Sequence, residues 1–317
     1  MTKMKLLSLL LILPLTAARC SGMDTYNTMI IGNMPIVKGG VTVTWLGTAG
    51  VHITDGRTGI LIDPYVSRFG MARVFFGRPL EPKKELIRQW TEKLGKAEIQ
   101  AIIVSHSHFD HSVDAPFFAR EAGAPLVGTE STLNIGRGAG LREDELNLVS
   151  PGQAITIGHF TIRFIESAHG PVFGKVPYPG AIGRPLAQPA RAKDYRLGGV
   201  FGVLISHPAG TILHHGSAGF IPGMYQGVRA DIVLLGIAGR GDTEKYLEEV
   251  PLRVKAKTVI PVHIDNFFKP IGEGMSFLPA SINFNEFCEA AGRYRSDFTV
   301  RTLPLARSVR ILPVNGR

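Results

Sequence analysis

The chain has 317 residues, 44% hydrophobic and 19% charged, which supplies a sizeable core and excludes a largely disordered protein. Two cysteines, Cys20 and Cys288, exclude a disulfide framework or a cysteine-rich zinc module. The net charge of +9 favours anionic partners, but charge alone is a poor ground for a nucleic-acid partner, since many basic proteins bind none.

Residues 1–20 read as an export signal. Lys3 and Lys5 give a basic start, residues 6–15 are a nearly unbroken apolar run, and Thr16, Ala17 and Ala18 are small residues at a cleavage point. The run is too short to span a bilayer as a helix, which takes about 20 residues. Cys20, just after it, resembles the acylated cysteine of a bacterial lipoprotein, with Arg19 where that pattern has Gly, Ala or Ser. The expectation is an exported protein, either periplasmic or a lipoprotein associated with the membrane through Cys20.

Residues 21–40 carry little periodicity and read as a tether, so that 41–317 is a single domain. Residues 41–45 alternate as a strand, with further strands at 50–54 and 59–62 separated by the Asp55-Gly56 turn. Apolar spacing at Leu86, Ile87, Trp90 and Leu94 predicts a helix over 84–96, followed by an apolar strand over 98–104. A helix over 115–122, a strand over 125–128 and a hairpin of 154–158 with 161–165 come next. The second half predicts strands at 200–205, 211–214, 232–235 and 258–262, with helices near 243–250 and 285–293. Strand-rich halves with interspersed helices imply two packed sheets covered by helices.

The histidines carry the chemistry. Three of ten fall in one hexapeptide, His106-Ser-His108-Phe-Asp110-His111, at the exit of the apolar stretch 101–104. Imidazole nitrogens and a carboxylate suit a borderline cation, zinc first, with manganese or iron as alternatives. Crowded into one volume, these rings would repel one another when protonated unless a metal organised them.

This motif resembles that of the metallo-β-lactamase superfamily of metal-dependent hydrolases. The likeness extends through Trp45-Leu-Gly-Thr-Ala-Gly50, through Asp63-Pro64, and through Ser167-Ala-His169-Gly170 and Val262-His263. It implies a four-layer αββα sandwich of the α/β class. It also implies a first metal site of His106, His108 and His169 and a second of Asp110, His111 and His263, with Asp63 behind a ligand histidine. Ser217 stands where the superfamily places a bridging aspartate, and a hydroxyl is the poorer ligand. One or two metals are therefore expected, the second held weakly or completed by Asp265, His214 or His215.

Within the superfamily, Asp231 to Gly236 and Pro261 to Phe268 are more similar to the ascorbate-6-phosphate lactonase-like and N-acylphosphatidylethanolamine phospholipase D-like proteins. The resemblance implies a metal-bound hydroxide that cleaves an ester, lactone or phosphodiester in an anionic small molecule, with Asp110 orienting it and accepting its proton. Two proline- and arginine-bearing stretches, 65–82 and 170–200, are expected to form a cationic substrate rim from Arg68, Arg73, Arg78, Lys175 and Arg184. The alternatives are a lipid phosphodiesterase at the membrane surface, with Phe75 and Phe76 touching lipid, and a metal-binding protein without turnover.

Overall fold

The computed structural model describes residues 22–32, 39–172, 174–278 and 282–313. The export signal and Cys20 lie outside them. The tether reading needs correction for its first part. Residues Gly22–Thr28 form helix α1, and Tyr26 is fully buried, with its hydroxyl donating to the Leu303 carbonyl. Met23 packs on the same core, and Thr302 Oγ1 donates to Tyr26 O at 2.8 Å, so the helix is docked on the domain.

The first sheet starts as an antiparallel meander of β1 (Val41–Gly47), β2 (Gly50–Thr54) and β3 (Gly59–Ile62). After α2 (Met71–Phe75) and α3 (Lys84–Lys93), strand β4 (Ile99–Ile103) pairs parallel to β3. Helices α4 (Phe109–Ser112) and α5 (Ala115–Ala122) lead to β5 (Leu126–Gly128), and α6 (Glu130–Gly138) leads to β6 (Leu146–Leu148). The second sheet holds β7 (Ala154–Ile157), β8 (Phe160–Glu166), β9 (Phe201–His207), β10 (Gly210–His215), β11 (Ile232–Gly236), β12 (Thr258–Val262) and β13 (Thr299–Val300). Helices α7 (Thr243–Leu247) and α8 (Phe284–Gly292) cover it, and β14 (Ser308–Leu312) returns to pair with β1.

Each sheet has seven strands, ordered β14-β1-β2-β3-β4-β5-β6 and β13-β12-β11-β10-β9-β8-β7. The period of two along a strand sorts the side chains into layers. Ile60, Ile62, Ala101 and Ile103 point inward against Ile162, Phe164, Val203 and Ile205 of the second sheet. Their sequence neighbours Leu61 and Ile102 point outward, under Ile87, Trp90 and Phe118. The arrangement is the four-layer αββα sandwich. Strands β3, β4, β8, β10 and β12 all end at one edge, where their exit loops meet.

Candidate metal centre

The geometry grows from those strand ends. Strand β4 runs out at Ile103, and the buried Val104-Ser105-His106 continues it into a loop that α4 closes. His106 and His108 emerge on this loop, while Asp110 and His111 sit in the first turn of α4. His169 follows β8, and His263 follows β12. Backbone bonds lock the exits together: Phe201 N donates to Ser105 O at 2.9 Å, and His263 N donates to Thr48 O at 2.7 Å.

The structure brings all six residues of the two expected trios together. One ligand atom each from His106, His108 and His169 lies within 4.8 Å of the others, and Asp110, His111 and His263 form a second such group. The rings of His106 and His111, from different trios, lie 3.9 Å apart between centroids. Asp110 Oδ2 lies 3.2 Å from His263 Nε2 and 3.8 Å from His111 Nε2.

Most of these histidines have one nitrogen engaged away from the cluster, the usual way of fixing which nitrogen faces a metal. His108 Nε2 donates to Pro177 O at 2.9 Å, His169 Nδ1 to Gly170 O at 2.6 Å, and His111 Nδ1 to Asp63 Oδ2 at 2.9 Å. His106 Nδ1 lies 3.3 Å from Ser105 Oγ, and its Nε2 is buried with no partner. Buried polar atoms seldom go unpaired, so an orphaned nitrogen inside a histidine cluster fits a metal ligand. Burial and neighbouring rings hold His106 well below the ordinary imidazole range, and burial holds His108 at about 3 and His169 at about 4. These rings are neutral and able to ligate. Burial also pushes His111 down, but the Asp63 and Asp110 carboxylates outweigh it and raise its pKa. Burial raises Asp110, yet His111 and His263 outweigh that and keep it ionised. The donor set of five imidazoles and one carboxylate fits one or two divalent metals.

Around this cluster the backbone is strained. Seven described non-glycine residues have positive φ, and five of them surround the site: Thr48 (50°), Asp63 (48°), Arg68 (44°), Tyr178 (40°) and His263 (54°). Such conformations cost on the order of 1–3 kcal/mol each and persist only where surrounding contacts fix them.

Asp63 is fully buried. Its Oδ1 accepts from Ser105 N at 2.7 Å and its Oδ2 from Ser105 Oγ at 2.6 Å, in addition to His111. Ser217 Oγ accepts from Gly170 N at 3.2 Å and so steadies the loop that carries His169.

Four expectations need correction. Asp265 does not face the cluster: its Oδ2 is paired with Arg68 Nη1 at 2.7 Å and its Oδ1 accepts from Thr48 N at 2.6 Å. Arg68 is accordingly a buried clamp, also donating to Leu46 O at 2.7 Å, and is not part of an exposed rim. His215 has both nitrogens engaged, with Tyr225 Oη at 2.7 Å and Gly219 O at 2.8 Å. His214 Nε2 donates to Ala49 O at 2.7 Å. Arg73, Arg78, Lys175 and Arg184 are exposed.

Two participants lie outside the sequence expectations. Tyr178 sets its ring edge-on to His108 at 6.1 Å, and burial, then the Asp110 charge, raises its pKa. Asp114 is fully buried and accepts from Val66 N, Ser67 N and Ser67 Oγ at 2.7, 2.7 and 2.6 Å, pinning the loop that bears Arg68. An acid three residues after His111, in front of an apolar helix, is the only trace Asp114 leaves in the sequence. Tyr178 leaves none.

A third group, Asp55, His159 and His207, joins turns of the two sheets. His207 Nδ1 accepts from Ala209 N at 3.1 Å, so its Nε2 carries the proton and faces Asp55 as a donor. That arrangement is an inter-sheet clamp.

An αββα sandwich with a histidine–aspartate cluster at the strand-exit edge defines a metal-centred protein of the metallo-β-lactamase kind. A family described as the beta-lactamase superfamily domain matches residues 42–263, and the chain belongs to this metallo-β-lactamase superfamily of metal-dependent hydrolases. It is 28% identical over 240 residues to a UPF0173 metal-dependent hydrolase of Anaeromyxobacter sp. (strain K), covering 73% of this chain and 77% of that protein. Among solved structures, Igni18, a novel metallo hydrolase from the hyperthermophilic archaeon Ignicoccus hospitalis, aligns with a TM-score of 0.54 at 17% identity, over 86% of this chain and 98% of its own. CmlA, a diiron β-hydroxylase from Streptomyces venezuelae, aligns with a TM-score of 0.56 at 16% identity, over 88% of this chain and 55% of its own. The two structural likenesses concern the fold.

Proposed function

We propose that the chain is an exported hydrolase that cleaves an ester, lactone or phosphodiester in an anionic small molecule. One or two divalent metals, zinc or else manganese or iron, would be held by His106, His108 and His169 and by Asp110, His111 and His263. The observation that carries this reading is the convergence of both trios on one edge, with Asp110 Oδ2 3.2 Å from His263 Nε2. Divalent metals at such a site supply Lewis acidity and lower the pKa of water from about 15.7 toward 7.

The chain's own residues do the rest. Asp110, kept ionised by His111 and His263, orients a nucleophilic water by accepting its hydrogen bond. Tyr178, kept protonated beside His108, donates a hydrogen bond to an oxygen of the substrate. Lys175 and Arg184 share its loop and favour an anionic substrate. The bonds from His108 to Pro177 O and from Leu197 N to Tyr178 O, at 2.9 and 3.0 Å, fix that loop over the site. Ser217 in place of a bridging carboxylate supports the second reading, a binding protein without turnover.

The test is a panel of lactones, carboxylate esters and phosphodiesters, each in anionic and neutral form, offered to the metal-loaded chain. The expected result is turnover of one class with the anionic form preferred, and a loss of at least about 100-fold in Asp110→Asn. Tight metal binding with no turnover anywhere on the panel would overturn the hydrolase reading in favour of the binding protein.

A further inference from the structure

We propose that residues 71–78 are a membrane-docking patch that anchors the insertion beside the metal centre to an anionic lipid surface. This stands independently of which bond the site cleaves. Among the described residues six large hydrophobic side chains are exposed, and Met71, Phe75 and Phe76 account for half of them within one six-residue stretch. Phe75 is 82% exposed and Phe76 71%, whereas α2 buries no residue at all. The two rings meet edge to face at 5.5 Å, so they present a joined wedge to solvent. The folded core makes no use of either ring, which marks the patch as an interaction site.

Charge decides the occupant. From Pro64 to Leu80 the chain carries Arg68, Arg73 and Arg78 and no acid. Arg68 is buried against Asp265, which leaves Arg73 and Arg78 exposed around the rings. Arg73 Nη1 donates to Pro79 O at 2.8 Å, which holds its guanidinium beside the wedge. A second copy docking patch to patch would set like charges against each other. An anionic bilayer satisfies both features at once, with the rings at the acyl boundary and the guanidinium groups on lipid phosphates.

The patch is also tied to the site. Tyr65 and Phe69 are buried beneath it, and the Tyr65 ring meets Phe109, the neighbour of Asp110, at 6.0 Å. Leu80 N donates to Ala190 O at 2.7 Å, joining the insertion to the loop that carries Tyr178, Lys175 and Arg184.

Phe76→Trp in the full chain provides the test, because Trp45 and Trp90, the only native tryptophans, are both buried. The readout is local to position 76, so attachment through the N-terminal segment does not affect it. With phosphatidylglycerol vesicles the expected result is a blue-shifted emission that brominated acyl chains quench, weaker on phosphatidylcholine. Adding Phe75→Ser should lower partitioning about 10-fold, and Arg73→Gln with Arg78→Gln about 25-fold at low salt. An indole that keeps a solvent-like emission while the protein pellets with vesicles overturns the proposal. So does a blue shift that follows protein concentration without lipid, which would assign the patch to a second copy.

Discussion

Asp63→Asn replaces one oxygen at the residue that sets the tautomer of His111. Three donors converge on the carboxylate: Ser105 N at 2.7 Å, Ser105 Oγ at 2.6 Å and His111 Nδ1 at 2.9 Å. Asparagine offers one oxygen to meet them. The Ser105 backbone N–H cannot turn away, so the amide oxygen stays with it and the NH2 faces His111. His111 Nδ1 must then accept, its proton moves to Nε2, and the nitrogen facing Asp110 has no lone pair left for a metal. Loss of a carboxylate behind a ligand histidine costs about 10–100-fold in metal affinity, or about 1.4–2.8 kcal/mol. The loss falls on the trio of Asp110, His111 and His263: His108 and His169 keep their hydrogen bonds to Pro177 and Gly170, and Ser105 Oγ, which donates to Asp63 in the wild type, turns to accept from the new NH2 while still meeting His106 Nδ1. Calorimetric titration of metal-depleted protein with Zn2+ should show one affinity reduced by that factor and the other changed by less than about threefold. Two unchanged affinities, or two equally weakened ones in a variant with native circular dichroism, would refute the argument that Asp63 acts through His111.

Arg68→Met leaves the Asp265 carboxylate buried and unpaired, and should cost about 3–5 kcal/mol in urea unfolding. A double-mutant cycle with Asp265→Asn should return a coupling above about 1 kcal/mol; additive losses would contradict the clamp. Burial lifts the Asp114 carboxyl from 3.8 to about 6, against the lowering by its donors on Ser67 and Val66. Because the folded state holds this proton more tightly than the unfolded one, stability from this group is greatest below the unfolded pKa. It falls as pH rises from about 4 to 6 and then levels, by at most about 3 kcal/mol. Asp114→Asn should abolish that fall in unfolding free energies measured across the same range; an unchanged slope would contradict it. Tyr178→Phe should leave metal affinity intact and lower kcat about 100–1000-fold, the effect of losing one aimed donor; equal kcat values would remove Tyr178 from the chemistry.

Much of the architecture is legible in the sequence because its strands obey simple periodicities. The pairs Ile60/Ile62 and Ala101/Ile103 face the central layer, and α5 ends where Gly123 takes φ 67°, a natural stop. The metal residues are legible for a different reason: four of the six lie within one hexapeptide. Helix α6 is not, because it carries Gly136 and Gly138, which ordinarily weaken a helix. Both are demanded from outside it. A Cβ at Gly136 would come within 2.7 Å of Leu146, and one at Gly138 within 1.9 Å of Leu186 O. The role of Asp265 is hidden for a related reason. His263 takes positive φ, so an extended reading of the following residues fails, and the partner Arg68 lies 197 positions away. Pairings of that kind depend on how the two sheets meet, which no local pattern encodes.

We propose that the two trios of side chains at one edge of the sandwich hold one or two divalent metals. Metal content per chain decides this, from elemental analysis of protein reconstituted with Zn2+ and desalted. The wild type, His106→Ala and His263→Ala, one change in each trio, are compared. One or two metals are expected in the wild type, with the content falling by about one when a filled trio loses its histidine. No metal in the wild type, or wild-type content in both variants, would contradict it.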